Sequence, residues 1–392
     1  EISCSLVGSE MCIRDRDVAR KFFTMDYLKQ YVKILSFYKM NEFQIHLNDN
    51  GFPQFFGDDW NRTYAAFRLE SERFPGLTAK DGSYSKQEFI DLQRMGLEYG
   101  VRIIPEIDIP AHSLAFAHYK PEIASRKYGM DHLDLYKKET YQFVDSLLDE
   151  YLSGDNPVFI GDLHIGTDEY NKKEAEQYRY FTDRYLKFVE KYGKNVRMWG
   201  GLKWLPGKTP VKAEGVTVNA WSYDWVDPVV SLQDGYKLIN TCDTYLYIVP
   251  AAGYYRDFLD HQWIYEKWSP WIMNRKQTLP EGTPGVLGGM FAVWNDKCGN
   301  GISEQDVHLR SFPAMQVLAE KLWKGENKNV TYEAFAKLCK TTPEAPGINL
   351  LGKVPAETAL TEAGKELSFN GKEAVSTPLQ EVGYPYSVEF QL

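Results

Sequence analysis

The sequence contains no apolar run near the roughly 18 residues that a membrane-spanning helix needs. It has no basic excess either. Its 45 Lys and Arg stand against 54 Asp and Glu, and the net charge of −9 leaves nothing to neutralise the phosphates of a nucleic acid or an anionic membrane. The five cysteines (Cys4, Cys12, Cys242, Cys298, Cys339) are odd in number, scattered and never in CxxC spacing, which argues against a disulfide framework or a zinc site. HxH and HExxH are absent, and no glycine-rich phosphate turn follows the first strand-like segment. Aromatic side chains, by contrast, make up 15% of the chain, with 10 Trp and 26 Tyr. Aromatics fill cores, and they also stack on the flat C–H faces of pyranose rings, so composition alone leaves both roles open.

The two ends differ from the middle. Residues 6–16, LVGSEMCIRDR, resemble the translation of a transposase-type sequencing adapter and lack the basic start and apolar stretch of a signal peptide. Residues 1–16 are therefore set apart from the functional reading. After Gly325 the composition changes, and from about Leu351 short β-prone stretches, ELSFNGKEAV and YSVEFQL, predict a linker and the opening of a β-rich module over 326–392. A lone pair of strands is marginal in water, so this tail is expected to be poorly anchored unless it docks.

Between Asp17 and Gly325, helical and strand-like patterns alternate. Thr24 caps a segment in which Leu28, Tyr31, Val32, Leu35 and Tyr38 recur at helical spacing. Ser85-x-x-Glu88 is a capping box, with Gly100 as the stop signal. Further helices are predicted over 140–152 and 171–192, and one runs through Trp323. Strands are predicted over 43–47, 101–104, 158–165, 196–199, 216–221, 236–241 and 286–294. Seven strands with largely helical crossovers predict a parallel α/β fold. Polar residues gather just past the strand ends: Asp49, Asp108 with His112, Asp168 with Glu169, Trp221, Tyr245 and Asp296. A (β/α)8 barrel carries its active site on that face, whereas a doubly wound sheet would want the missing glycine-rich turn. The remaining strand would end at Asp17, mostly replaced by adapter sequence. A barrel truncated in this way would expose two edges and be of low stability.

Five blocks occur in order: DVARKFF, HLNDN, PEIDIPAH, HIGTDEY, and AVWND with a closing AEKLW. Through these blocks, residues 17–323 resemble glycoside hydrolase family 20, of the β-N-acetylhexosaminidase and lacto-N-biosidase type. The resemblance implies a (β/α)8 TIM barrel over 17–325 that removes terminal β-linked N-acetylglucosamine or N-acetylgalactosamine from oligosaccharides or glycoconjugates. It implies no cofactor and no metal, and an extracellular or cell-surface location. Carried over position by position, it makes Arg20 the grip on the 3- and 4-hydroxyls of the terminal sugar. Asp49 and His112 become a relay that steadies the acid, Asp168 the carboxylate that orients the 2-acetamido group, and Glu169 the general acid/base. Tyr245 would bind the acetamido oxygen, and Trp199, Trp221 and Trp294 would line the pocket. Asp296 stands where the family usually has a Glu holding outer hydroxyls.

The family is a substrate-assisted exception among two-carboxylate glycosidases. The substrate's own acetamide oxygen attacks the anomeric carbon, giving an oxazolinium-like intermediate and retention of configuration. Such intramolecular attack gains from proximity, up to ~7–11 kcal/mol in ideal cases. Asp168 would stabilise the charge developing at the amide nitrogen. Glu169 must first give a proton and then take one, and repulsion from Asp168 is expected to raise its pKa. Consecutive strand residues point to opposite faces, so Asp168 and Glu169 meet one substrate only if the chain leaves strand geometry; Gly166 makes that departure cheap.

The sequence also departs from the family's pattern. Thr167 stands in place of a second Gly, Asn50 in place of Asp, and Ala111 in place of Gly. With the VPAAGYY run after Ile248, these changes leave open a pocket that accepts a disaccharide. His46 and His164 read as packing or supporting residues at strand ends. A glycan-binding module without turnover is the rival reading, against which the presence of Asp168, Glu169 and Tyr245 speaks.

Overall fold

The computed structural model describes residues 11–326, 329–354 and isolated positions from 359 to 388, with side chains from Asp15 onward. Eight parallel strands form its centre: β1 (Met11–Asp17), β2 (Glu42–His46), β3 (Arg102–Glu106), β4 (Leu163–His164), β5 (Val196–Trp199), β6 (Val216–Ala220), β7 (Lys237–Asn240) and β8 (Val286–Val293). Each pairs with the next and β8 pairs back with β1, so the sheet closes into a (β/α)8 barrel. Apolar-faced helices cover it, among them Met25–Phe37, Lys86–Glu98, Lys138–Leu152, Ala175–Glu190 and Glu304–Lys324. The Thr24 hydroxyl accepts from the Tyr27 amide, and Ser85 and Glu88 cap each other reciprocally, as their spacing predicts. A second capping box, Ser303 with Asp306, opens the last barrel helix.

The expectation of a truncated first strand is corrected. β1 lies between β8 and β2, with Met11 opposite Gly288 and Asp17 opposite His46. Parallel pairing uses backbone N–H and C=O groups, which any non-proline sequence supplies, so adapter-like wording does not prevent it. Closure removes the edges from which low stability was argued. A different liability takes their place. Asp15 is fully buried, and neither of its carboxylate oxygens has a hydrogen-bond partner. Arg16 is buried against Phe23, Tyr27 and Tyr31; one guanidinium nitrogen donates to the Tyr27 hydroxyl at 2.9 Å, while Nε and Nη1 have no partner.

The barrel interior is polar from its base upward. Glu42 of β2 accepts two bonds from Arg197 of β5 at 2.6 and 2.8 Å, and these strands are not neighbours, so the pair spans the interior. Above it, Gln44 and Trp199 donate to Glu106 at 2.7 and 2.6 Å. Phe43, between Glu42 and Gln44, packs outward on Tyr31 with ring centroids 5.3 Å apart. This is the period-2 alternation of a strand, with the polar set turned inward. After β7 the chain makes a helical turn (Asp243–Leu246), and Tyr247–Ile248 then adds alongside the upper end of β8. Beyond the barrel, helix Tyr332–Thr341 docks through Phe335, stacked on Tyr265 at 4.7 Å. The predicted strands ELSFNGKEAV and YSVEFQL lie largely outside the described residues.

Candidate active site

Behind β4 the chain leaves strand geometry as Gly166 allows. Gly166, Thr167 and Glu169 all have positive φ, +66°, +82° and +53°. A Cβ on Gly166 would sit 1.7 Å from Asp108 Oδ1, so only glycine fits there. Thr167 holds a conformation that a β-branched residue rarely adopts, which explains why a glycine is the easier choice at that position. The Thr167 amide donates to Asp108 Oδ1 at 3.2 Å, pinning the turn to the end of β3. The effect is to present consecutive carboxylates, Asp168 and Glu169, to one histidine. His112 Nε2 lies 3.3 Å from Glu169 Oε2 and 3.8 Å from Asp168 Oδ2.

The residues expected to form a relay lie in contact, and the chain of contacts runs further than expected. His112 Nδ1 is 2.9 Å from Asp49 Oδ1, and Asp49 Oδ2 meets both Arg20 Nη2 at 2.6 Å and His46 Nε2 at 2.7 Å. His46 in turn lies 3.2 Å from the buried Glu106, which also faces His164 at 3.3 Å. Burial alone would push the Asp49 carboxyl up, but Arg20 and His112 overcome it and hold it well below the usual range. Burial disfavours the His112 cation, yet Asp49 and Asp108 outweigh that and raise its pKa. A charged imidazole therefore stands between Asp49 and the Asp168–Glu169 pair.

That cation decides where the pair's proton rests, and it reverses the expected order. Burial pushes Asp168 up to about 6, against the pull of His112 and with added repulsion from Glu169. Burial also raises Glu169, but its bond and charge contact with His112, helped by Arg20, hold it below its usual value. Asp168 also has a buried oxygen, Oδ1, without a partner. Of the two carboxylates, Asp168 is therefore the one protonated first as pH falls through about 6.

Arg20 is held by its own backbone and by three carboxylates. Asp17 Oδ1 accepts its amide at 2.9 Å, and Nη1 donates to Asp296 Oδ1 at 2.8 Å. Asp296 Oδ2 accepts from the Tyr254 hydroxyl at 2.7 Å, which brings the VPAAGYY run to the site. Trp294 stands edge-on to His46 with centroids 5.1 Å apart. Trp221 donates to the Gly200 carbonyl at 2.9 Å and leans on Trp225. One assignment changes. Trp199 is 1% exposed and tied to Glu106, so it lies beneath the pocket rather than lining it. Tyr245, on the helical turn after β7, stacks on Trp263 with ring centroids 4.2 Å apart, and Tyr247, two residues on, is buried with its ring against Trp294 and Tyr255.

Residues that sequence reasoning passed over are Asp17, Glu106, Tyr247 and Trp225. The signal for Asp17 was its place in the DVAR block, and Trp225 lay four residues beyond a tryptophan already singled out. Donor atoms of Asp108, His112 and Asp168 lie within 4.8 Å of one another, an arrangement that shares protons as readily as it would hold a cation.

The chain matches the family model described as glycosyl hydrolase family 20, catalytic domain, over residues 15–326. Beta-hexosaminidase subunit B2 of Dictyostelium discoideum is 26% identical over 369 residues, covering 82% of this chain and 58% of that protein. A beta-hexosaminidase of Akkermansia muciniphila is 27% identical over 244 residues, covering 52% and 46%. This chain thus spans about half the length of these relatives. Among solved structures, a beta-N-acetylhexosaminidase from Bacteroides fragilis superposes with a TM-score of 0.67 at 19% identity, covering 86% of this chain and 70% of that one. Dispersin B superposes with a TM-score of 0.61 at 20% identity, covering 79% and 98%.

Proposed function

Because the chain belongs to glycosyl hydrolase family 20, we propose that it is a retaining exo-glycosidase that removes terminal β-linked N-acetylhexosamine from glycans. The carrying observation is the left-handed turn that delivers Asp168 and Glu169 to one side of His112. A substrate acetamide placed against Asp168 favours its anion, because a hydrogen bond from the amide N–H stabilises the charged form. A glycosidic oxygen against Glu169 asks for the protonated form. The pair's proton, which favours Asp168 over Glu169 before the sugar binds, thus moves to Glu169 as the sugar settles. The acetamide oxygen then attacks the anomeric carbon while Glu169 protonates the leaving oxygen. The resulting Glu169 carboxylate next takes a proton from water, which attacks the same carbon and restores the β configuration. Asp168 stabilises the cationic amide nitrogen throughout.

On the opposite side of the sugar, Arg20 offers its guanidinium between Asp49 and Asp296, a donor–acceptor arrangement suited to vicinal hydroxyls. Tyr245 is the tyrosine assigned to the acetamide oxygen, from its place in the family's sequence pattern. The tie between Tyr254 and Asp296 narrows this end of the pocket and favours one sugar over a disaccharide. The test is hydrolysis of aryl β-N-acetylglucosaminide, aryl β-N-acetylgalactosaminide and aryl lacto-N-bioside, beside Glu169→Gln and Asp168→Asn. Each substitution is expected to lower kcat by about 10²–10⁴-fold. Unchanged rates in both variants would remove the assignment.

A further inference from the structure

The cleft that opens from Glu169 runs away from Arg20, and its lining is distinctive. It has a volume of about 450 Å³ and is walled by Trp204 and Trp225, with Lys172 and Lys173 on its rim. The two tryptophan rings lie tilted at 32° with centroids 5.2 Å apart, and the Lys172 ammonium rides 4.5 Å from the Trp204 ring. Past Trp225, Tyr223 carries two more ammonium groups over its ring, Lys203 at 3.6 Å and Lys276 at 4.2 Å. Among the described residues, none of these four lysines lies within ion-pair distance of a carboxylate. Glu174, the nearest acidic neighbour in sequence, is already neutralised by Lys127 and bonded by Tyr128 and Tyr136. Four unpaired cations around one aromatic wall stand out on a chain of net charge −9.

The barrel order says which part of the substrate meets this wall. Arg20, Asp49 and Asp296 follow β1, β2 and β8, whereas Trp204 and Trp225 follow β5 and β6 on the far side of the closed sheet. Glu169, after β4, stands between them. On the proposed function, on which this inference rests, the terminal sugar lies toward Arg20 and the leaving sugar in the aromatic cleft. We propose that the cleft selects a leaving sugar that carries an anionic group, a carboxylate or a sulfate ester. The tryptophans take the C–H faces of its ring, and Lys172 and Lys173 take its charge.

The test compares three disaccharides with terminal β-N-acetylglucosamine, linked to glucuronic acid, to 6-O-sulfoglucose and to glucose, with kcat/KM read from released N-acetylglucosamine. At low salt at least one anionic disaccharide should exceed the neutral one by roughly fivefold or more, a preference that shrinks at 0.5 M NaCl through screening. The double variant Lys172→Gln/Lys173→Gln should bring that ratio toward one. Which of the carboxylate and sulfate arms responds identifies the anion. Equal rates for all three in the unaltered chain, or a ratio untouched by the double variant, would overturn the proposal. Quenching of tryptophan fluorescence by the same disaccharides, titrated on Glu169→Gln, reads binding without turnover. Absent hydrolysis with anion-selective quenching would sink the proposed function and leave the cleft assignment standing. Equal quenching by charged and neutral sugars would sink the cleft assignment.

Discussion

Replacing Asp15 by Leu should make this barrel more stable, by an amount that grows with pH. Asp15 sits fully buried in β1, with neither carboxylate oxygen bonded. Burying a polar group without a partner costs about 1–3 kcal/mol in protein mutational series. Burial, reinforced by Glu106 and Asp17, raises its pKa well above the ordinary value despite the pull of His46. The sign follows from proton linkage. The folded chain keeps a proton on Asp15 that the unfolded chain sheds above about pH 3.9, so folding loses roughly 1.4 kcal/mol per pH unit from there up to the folded pKa. At pH 5 the two terms together come to about 2.5–4.5 kcal/mol, and leucine removes both. For a domain of this size that corresponds to roughly 4–7 °C in Tm. The assay is urea unfolding of both chains at pH 4, 5 and 6, with the difference in stability taken from midpoints at equal slope. A difference that is zero, or that does not widen between pH 4 and pH 6, would refute the reasoning.

Two further outcomes follow from the site. Thr167→Gly should relieve the positive φ at that residue; strain of this kind is worth about 1–3 kcal/mol, less the entropy of a new glycine, so a net gain near ~1 kcal/mol is expected in the same unfolding assay. His112→Gln removes the cation that lowers both Asp168 and Glu169. Both limbs of the kcat/KM against pH profile should move to higher pH, as apparent values of the coupled pair, while the maximum falls. An unmoved profile with a lower maximum would mean that His112 only positions the pair.

What could be read from the chain itself was whatever its neighbours in sequence control. The capping boxes, the Thr24 cap and the strand–helix alternation depend on residues three or four apart, and each appears where its spacing placed it. The break after β4 belongs to the same class, because a glycine before an Asp-Glu pair speaks of local φ alone. The convergence of Asp168 and Glu169 was legible for that reason. Tertiary structure decided the rest. β1 forms because two neighbouring strands offer backbone partners on both sides, whatever its side chains are. Trp199 reaches Glu106 inside the closed barrel. Asp168 is protonated before Glu169 because His112, arriving from 56 residues earlier in the chain, stands closer to Glu169. Charges act through space over a few ångströms, and only the closed barrel sets those distances.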